Sequence, residues 1–144
     1  MMKTNSNQQK FEILRQLNLP LGRYAISASG PLGIRNLRDI ADIDLIVAPD
    51  LWEALARQYG IINTGNVIKI VFPGGLIEAF REGSFYADPD PDAPTVAERI
   101  SSAEIIEGLP FVSLEHILYH KRRIAREKDL KDIFLIEEFL KGRP

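Results

Sequence analysis

The sequence predicts an α+β (α/β) domain, a small mixed β-sheet flanked by helices and closing on a helical C-terminus. Three observations predict it. Short apolar runs alternate with amphipathic stretches through the first half of the chain. Two such runs, residues 67–72 and 76–80, are joined by Pro73-Gly74-Gly75, a hairpin signal. The longest helical periodicities come last. With 144 residues the chain can form one domain, 1–144, that hides roughly two-thirds of the surface its unfolded form exposes.

Taken in order, residues 9–18 carry Phe11, Leu14 and Leu17 about a turn apart, which predicts a short amphipathic helix ending before Pro20. Residues 23–27 predict a strand running into Ser29-Gly30-Pro31. Proline there suits the first helical position, and Ser29 or Gly30 the cap. A short helix follows over 32–38, then a strand over 42–47. Asp50 is expected to cap a helix reaching Tyr59, with Leu51 and Leu55 inward and Trp52 beside them, and Gly60 to stop it. After the hairpin, 88–94 reads as a Pro/Asp loop and 104–106 as a short strand. Ser113 caps a helix with Leu114, Ile117 and Leu118 inward, and a last helix covers about 129–141.

Composition narrows the function classes. A hydrophobic share of 45% with 26% charged residues is that of an ordinary globular protein, so disorder and fibrous repeats are set aside. A net charge of −2 gives no general attraction for a polyanion, so nucleic-acid binding is not indicated. The chain has no cysteine, which removes disulfides, thiolate nucleophiles and thiolate metal sites; a metal would need oxygen ligands or the two histidines. Residues 1–9 are polar, and no run approaches the roughly eighteen apolar residues of a membrane span, so no membrane role is expected and the cytoplasm is the expected location.

The richest stretch chemically is Asp42-Ile43-Asp44-Leu45-Ile46-Val47. Residues two apart on a strand leave the same face, so both carboxylates point one way with Cα atoms roughly 6–7 Å apart. Like charges that close oppose each other's ionisation unless a cation or solvent compensates, which makes a divalent metal site the leading reading. The plain alternative has Asp42 at the strand start and Asp44 facing water from an edge strand. Ser29-Gly30-Pro31 opens a helix, where free N–H groups favour a phosphate but a purely structural cap is common. Glu78 lies among Leu76, Ile77, Ala79 and Phe80, and so is paired, liganding or on a wetted face. Lys121 shares the inward stripe of Ile117 and Leu118 and must either snorkel or meet an anion. Arg122, Arg123, Arg126 and Lys128 make that helix end basic, and Asp129 and Asp132 could orient Arg126 or Lys128 or simply begin the last helix. His116 and His120 have metal-pair spacing without an accompanying carboxylate motif, and read as surface or partly buried residues. Asp88, Asp90 and Asp92 read as a solvated acidic loop.

The run Ile26-Ser27-Ala28-Ser29-Gly30-Pro31-Leu32-Gly33-Ile34-Arg35-Asn36-Leu37-Arg38-Asp39-Ile40-Ala41-Asp42-Ile43-Asp44-Leu45 resembles the pattern of the minimal nucleotidyltransferase superfamily: a small-residue turn, a helix, then hydrophobic-Asp-x-Asp. The C-terminal part is similar to the variant that includes abortive-infection type toxins, with Lys121, then Arg126-Glu127-Lys128-Asp129, then Asp132. The resemblance implies a nucleotidyltransferase-like fold, and Asp42, Asp44 and Glu78 as a triad holding Mg²⁺ or Mn²⁺ around a nucleoside triphosphate. It also implies that Ser29, Gly30, Lys121, Arg126 and Lys128 face the nucleotide, and that a nucleoside monophosphate is transferred to an acceptor hydroxyl the sequence does not identify. Ala28 departs from the pattern, setting a methyl where glycine is usual. That departure, with the small size, leaves room for the alternative of an inactive binding or regulatory module working with a protein partner.

Overall fold

In the computed structural model, residues 6–85 and 90–142 are described. Six helices and seven strands follow in the order α1 (Ser6–Arg15), β1 (Tyr24–Ser27), α2 (Gly30–Ile34), β2 (Ile43–Val47), α3 (Pro49–Tyr59), β3 (Ile62–Asn63), β4 (Ile68–Val71), β5 (Ile77–Phe80), α4 (Val96–Ser101), β6 (Glu104–Ile106), β7 (Leu109–Phe111), α5 (Leu114–Ile124) and α6 (Glu127–Lys141). The strands form one mixed sheet in the order β3-β4-β5-β2-β1-β7-β6. β1 runs antiparallel to β2 and parallel to β7, while β2 runs parallel to β5. The class is α+β, as the sequence predicts.

Alternation along the strands sorts the core onto two faces. One face buries Phe11, Ile26, Leu45, Trp52, Leu55, Ile70 and Phe111 under α1 and α3. The other buries Ala25, Ile46, Val96, Val112, Leu114, Ile117 and Ile136 under α4, α5 and α6. The strand residues in this second cluster come from β1 and β2. On the same face of β4 and β5, Lys69, Val71, Glu78 and Phe80 are only half-buried, between the buried Ile70, Ile77 and Ala79. The helical layer therefore covers the middle of the sheet and leaves its β4–β5 side open, with the acids at the border.

Local chemistry explains most boundaries. The Pro73-Gly74-Gly75 turn closes as expected, with Gly75 N–H donating to Phe72 O at 3.0 Å and Phe72 N–H to Ile77 O at 2.9 Å. Ser113 caps α5 by accepting from His116 N–H, and Leu114, Ile117 and Leu118 are buried. The first helix starts and ends three residues earlier than its apolar spacing suggests: Asn18 turns left-handed at φ 49°, and Leu17 remains 37% exposed. The α2 helix begins at Gly30 and stops at Ile34, short of the expected 38, because Asn36 takes φ 58° and Leu37 N–H turns back to Leu32 O. Ala48, not Asp50, is the cap of α3. Pro49 takes the opening position and frees Asp50 to pair with Arg23 at 2.6 Å. The sequence reading did not anticipate β3, α4 or β7. The last of these contains Pro110, which lacks a ladder donor and reads locally as a turn, yet sits opposite Ile105. Residues 90–94 of the acidic loop are irregular; Asp88 and Pro89, like residues 1–5, lie outside the described residues.

Candidate active site

β2 is the middle strand of the seven, and its register sets the site. Asp44 pairs at Cα with Ser27 of β1 on one side and with Glu78 of β5 on the other. Ser27, Asp44 and Glu78 thus stand in one row on the face that α4, α5 and α6 cover incompletely. Asp42, exposed just ahead of β2, lies two residues back along the chain. The edge-strand alternative for Asp44 is thereby corrected, since β1 and β5 flank its strand on both sides.

Burial first, then repulsion from Asp42 and Glu78, pushes the Asp44 carboxyl up to about 6; Lys69 and Lys128 oppose the rise. Two sequence-predicted acids therefore act on the third through space, and Lys128 from the start of α6 reaches the same field. Lys69 of β4, which the sequence reading passed over, binds Glu78 at 2.8 Å. Among the described residues no three His, Cys, Asp or Glu side chains stand close enough to ligate one ion as they are. The Lys69 ion pair holds the Glu78 carboxylate in its present place. An all-oxygen donor set whose mutual repulsion Lys69 and Lys128 offset only in part nevertheless has the chemistry that Mg²⁺ or Mn²⁺ requires.

The Ser29-Gly30-Pro31 turn follows the end of β1, beginning two residues beyond the Ser27–Asp44 pair. Ser29 caps α2 through its backbone, its carbonyl accepting from Leu32 and Gly33, and its hydroxyl makes no cap hydrogen bond. Gly30 has a structural cause: a Cβ there would run into Ile26 Cγ2. Ala28 adopts φ 54°, a left-handed conformation that an L side chain takes only at a cost.

Lys121, Arg126, Asp129 and Asp132 form one ionic cluster between α5 and α6. The Lys121 Nζ lies 2.9 Å from Asp132 and 3.6 Å from Asp129, so of the two possibilities its buried amine meets an anion. Arg126 donates to Asp129 from its backbone and its guanidinium. Arg38, from the segment between α2 and β2, completes the cluster with two hydrogen bonds to Asp132 at 2.7 and 3.0 Å. Burial works against ionisation of both aspartates. The hydrogen bonds from Arg126 to Asp129, and from Arg38 and Lys121 to Asp132, outweigh it and hold each carboxyl below its usual range.

Sequence reasoning missed Lys69, Arg38 and Arg99. Lys69 had a signal, as the charged residue of an otherwise apolar strand across a tight hairpin from Glu78. Arg38 had none, because its partner is 94 residues away. Arg99 of α4 has its guanidinium Nε buried without a hydrogen-bond partner, and burial, opposed by Glu82, lowers its pKa. His116 is partly buried and His120 exposed, as expected of a pair without an accompanying carboxylate motif.

No family model matches this sequence, and no curated protein is significantly similar to it. A solved structure from Thermotoga maritima, described as a "putative nucleotidyltransferase", superposes with a TM-score of 0.54 over 94% of this chain and 95% of that one, at 13% identity. The protein has a nucleotidyltransferase-like fold. The resemblance read from the small-residue turn and Asp-x-Asp is thus matched by architecture along nearly the whole chain.

Proposed function

We propose that the protein is a metal-dependent nucleotidyltransferase that moves a nucleoside monophosphate from a nucleoside triphosphate to an acceptor hydroxyl. The observation that carries this reading is the in-register pair Asp44–Glu78, with the Asp44 carboxyl raised to about 6 beside Asp42. Acids gathered against their own repulsion around a central strand are of little use to the fold and of evident use to a cation.

Asp42 and Asp44 would hold Mg²⁺ or Mn²⁺, with Glu78 joining them on leaving Lys69. The ion, when bound, supplies neutralisation of the triphosphate and activation of the acceptor oxygen. The acceptor oxygen attacks the α-phosphorus, the bond from that phosphorus to the bridging oxygen breaks, pyrophosphate leaves, and Glu78 takes the hydroxyl proton. The Ser29 hydroxyl and the Gly30 backbone would meet phosphate oxygens at the turn, and Lys128 would offset developing negative charge. Lys121, held between Asp129 and Asp132, and Arg126, paired with Asp129, would fix the start of α6, which carries Lys128.

The Lys69–Glu78 ion pair and the Ala28 methyl favour a second reading, an inactive module of the same fold that binds a protein partner. Calorimetric titration with Mg²⁺ and a nucleoside triphosphate separates the two. The enzyme reading expects metal-dependent binding by the wild type, its loss in Asp44→Asn, and transfer of label from a triphosphate to an acceptor in cell extract. Equal binding by both proteins would remove the catalytic proposal.

A further inference from the structure

Beyond the acids, the open side of the sheet carries an aromatic pair that the mechanism does not use. Phe80 is two residues along β5 from Glu78 and so shares its face. Phe85 stacks on it with ring centroids 5.3 Å apart and planes 17° from parallel, and remains 61% exposed. An antiparallel bridge between Val67 and Phe85 fixes the backbone that presents this ring. We propose that Phe85, backed by Phe80, is a stacking platform for a substrate nucleobase; the proposal rests on the nucleotidyltransferase reading and names where its ring-bearing substrate lies.

Three features carry the assignment. The two rings are nearly parallel, so Phe80 supports one face of Phe85 while the ring as a whole stays in solvent, the arrangement that an incoming flat ring extends. Among the described residues, the helical layer leaves β4 and β5 open where the rings lie, so no described helix stands in a ligand's way. By register, Val67 opposite Phe85 lies four residues from Val71 opposite Glu78, so Phe85 stands roughly 13 Å along the same face from the acids, the length of an extended nucleotide rather than of its sugar alone. Lys69 borders the same surface and, paired with Glu78, links the aromatic end to the acids. A base on this platform belongs either to the donor triphosphate or to a nucleotide acceptor.

The test is calorimetric titration of wild type, Phe85→Ala and Phe85→Trp with Mg²⁺ present, using three probes: a nucleoside triphosphate, inorganic tripolyphosphate and an RNA trinucleotide. Stacking on one aromatic ring accounts for about 5- to 150-fold in affinity. Phe85→Ala should lose a factor in that range for the triphosphate or for the trinucleotide, with tripolyphosphate unchanged and Phe85→Trp retaining affinity; the probe affected identifies donor or acceptor. The proposal is overturned if Phe85→Ala binds both ring-bearing probes as the wild type does, or if the wild type binds neither more tightly than tripolyphosphate. Asp44→Asn keeps the two failures apart, because metal-dependent triphosphate binding lost in Asp44→Asn but intact in Phe85→Ala upholds the site and removes only the platform.

Discussion

Replacing Asp44 with asparagine should make the protein more stable at neutral pH, and the gain should vanish in acid. The folded carboxyl is raised from 3.8 to about 6, first by burial and then by Asp42 and Glu78. Between those values the folded state holds more protons than the unfolded chain, so stability falls as pH rises through the window and stays low above it. At about 1.4 kcal/mol per pH unit the ceiling is roughly 3 kcal/mol, and the solvent on the open side of the sheet brings the expected gain to about 1–3 kcal/mol. The amide keeps the shape of the side chain and removes its charge. Urea unfolding at intervals from pH 4 to pH 8 reads the difference, with equal m-values securing the comparison. The two proteins should match near pH 4, diverge through pH 6 and run parallel beyond. A stability difference that is flat across this range would refute the claim that Asp44 is held ionised against its surroundings.

Four further outcomes follow from the geometry. Lys121→Met leaves Asp129 to Arg126 and Asp132 to Arg38, and should cost about 1.5–3 kcal/mol by thermal or urea unfolding, the worth of one charged hydrogen bond. In the wild type the depressed Asp129 and Asp132 contribute stability that is complete above their ordinary range near pH 4 and lost as pH drops below it, and Asp132→Asn should flatten that acid limb. Gly30→Ala should cost about 1–3 kcal/mol because the new methyl meets Ile26, and adding Ile26→Val should recover part of it. Ala28→Gly relieves a left-handed alanine and should raise stability by about 0.5–1 kcal/mol in the same unfolding assay; if the methyl also crowds the phosphate approach, triphosphate affinity rises with it.

Periodic and punctuated stretches were readable because their causes are local. The Pro73-Gly74-Gly75 hairpin, the Ser113 cap and the apolar stripe of α5 each follow from neighbouring residues alone. Of the Asp42-x-Asp44 pair, Asp44 falls on β2 and Asp42 just ahead of it, where its charge helps raise the Asp44 carboxyl. Boundaries slipped where a single left-handed residue decided them, as at Asn18 and Asn36, which an apolar pattern does not register. The three-residue β7 strand escaped because it exists only through its neighbours. Partnerships across the chain were the least legible. Lys121 could be seen to need an anion, but that Asp132 supplies it and Arg38 shares it is a fact of tertiary packing. Gly30 read as a phosphate contact, and its packing requirement against Ile26, four residues back, was not visible in the sequence.

Asp44 stands on the fourth of seven strands, with three neighbours to either side. Backbone amides there should be the last to exchange with heavy water, because both edges must fray before the centre opens. Larger shape changes are then confined to the perimeter, with the backbone that carries Asp44 held in place.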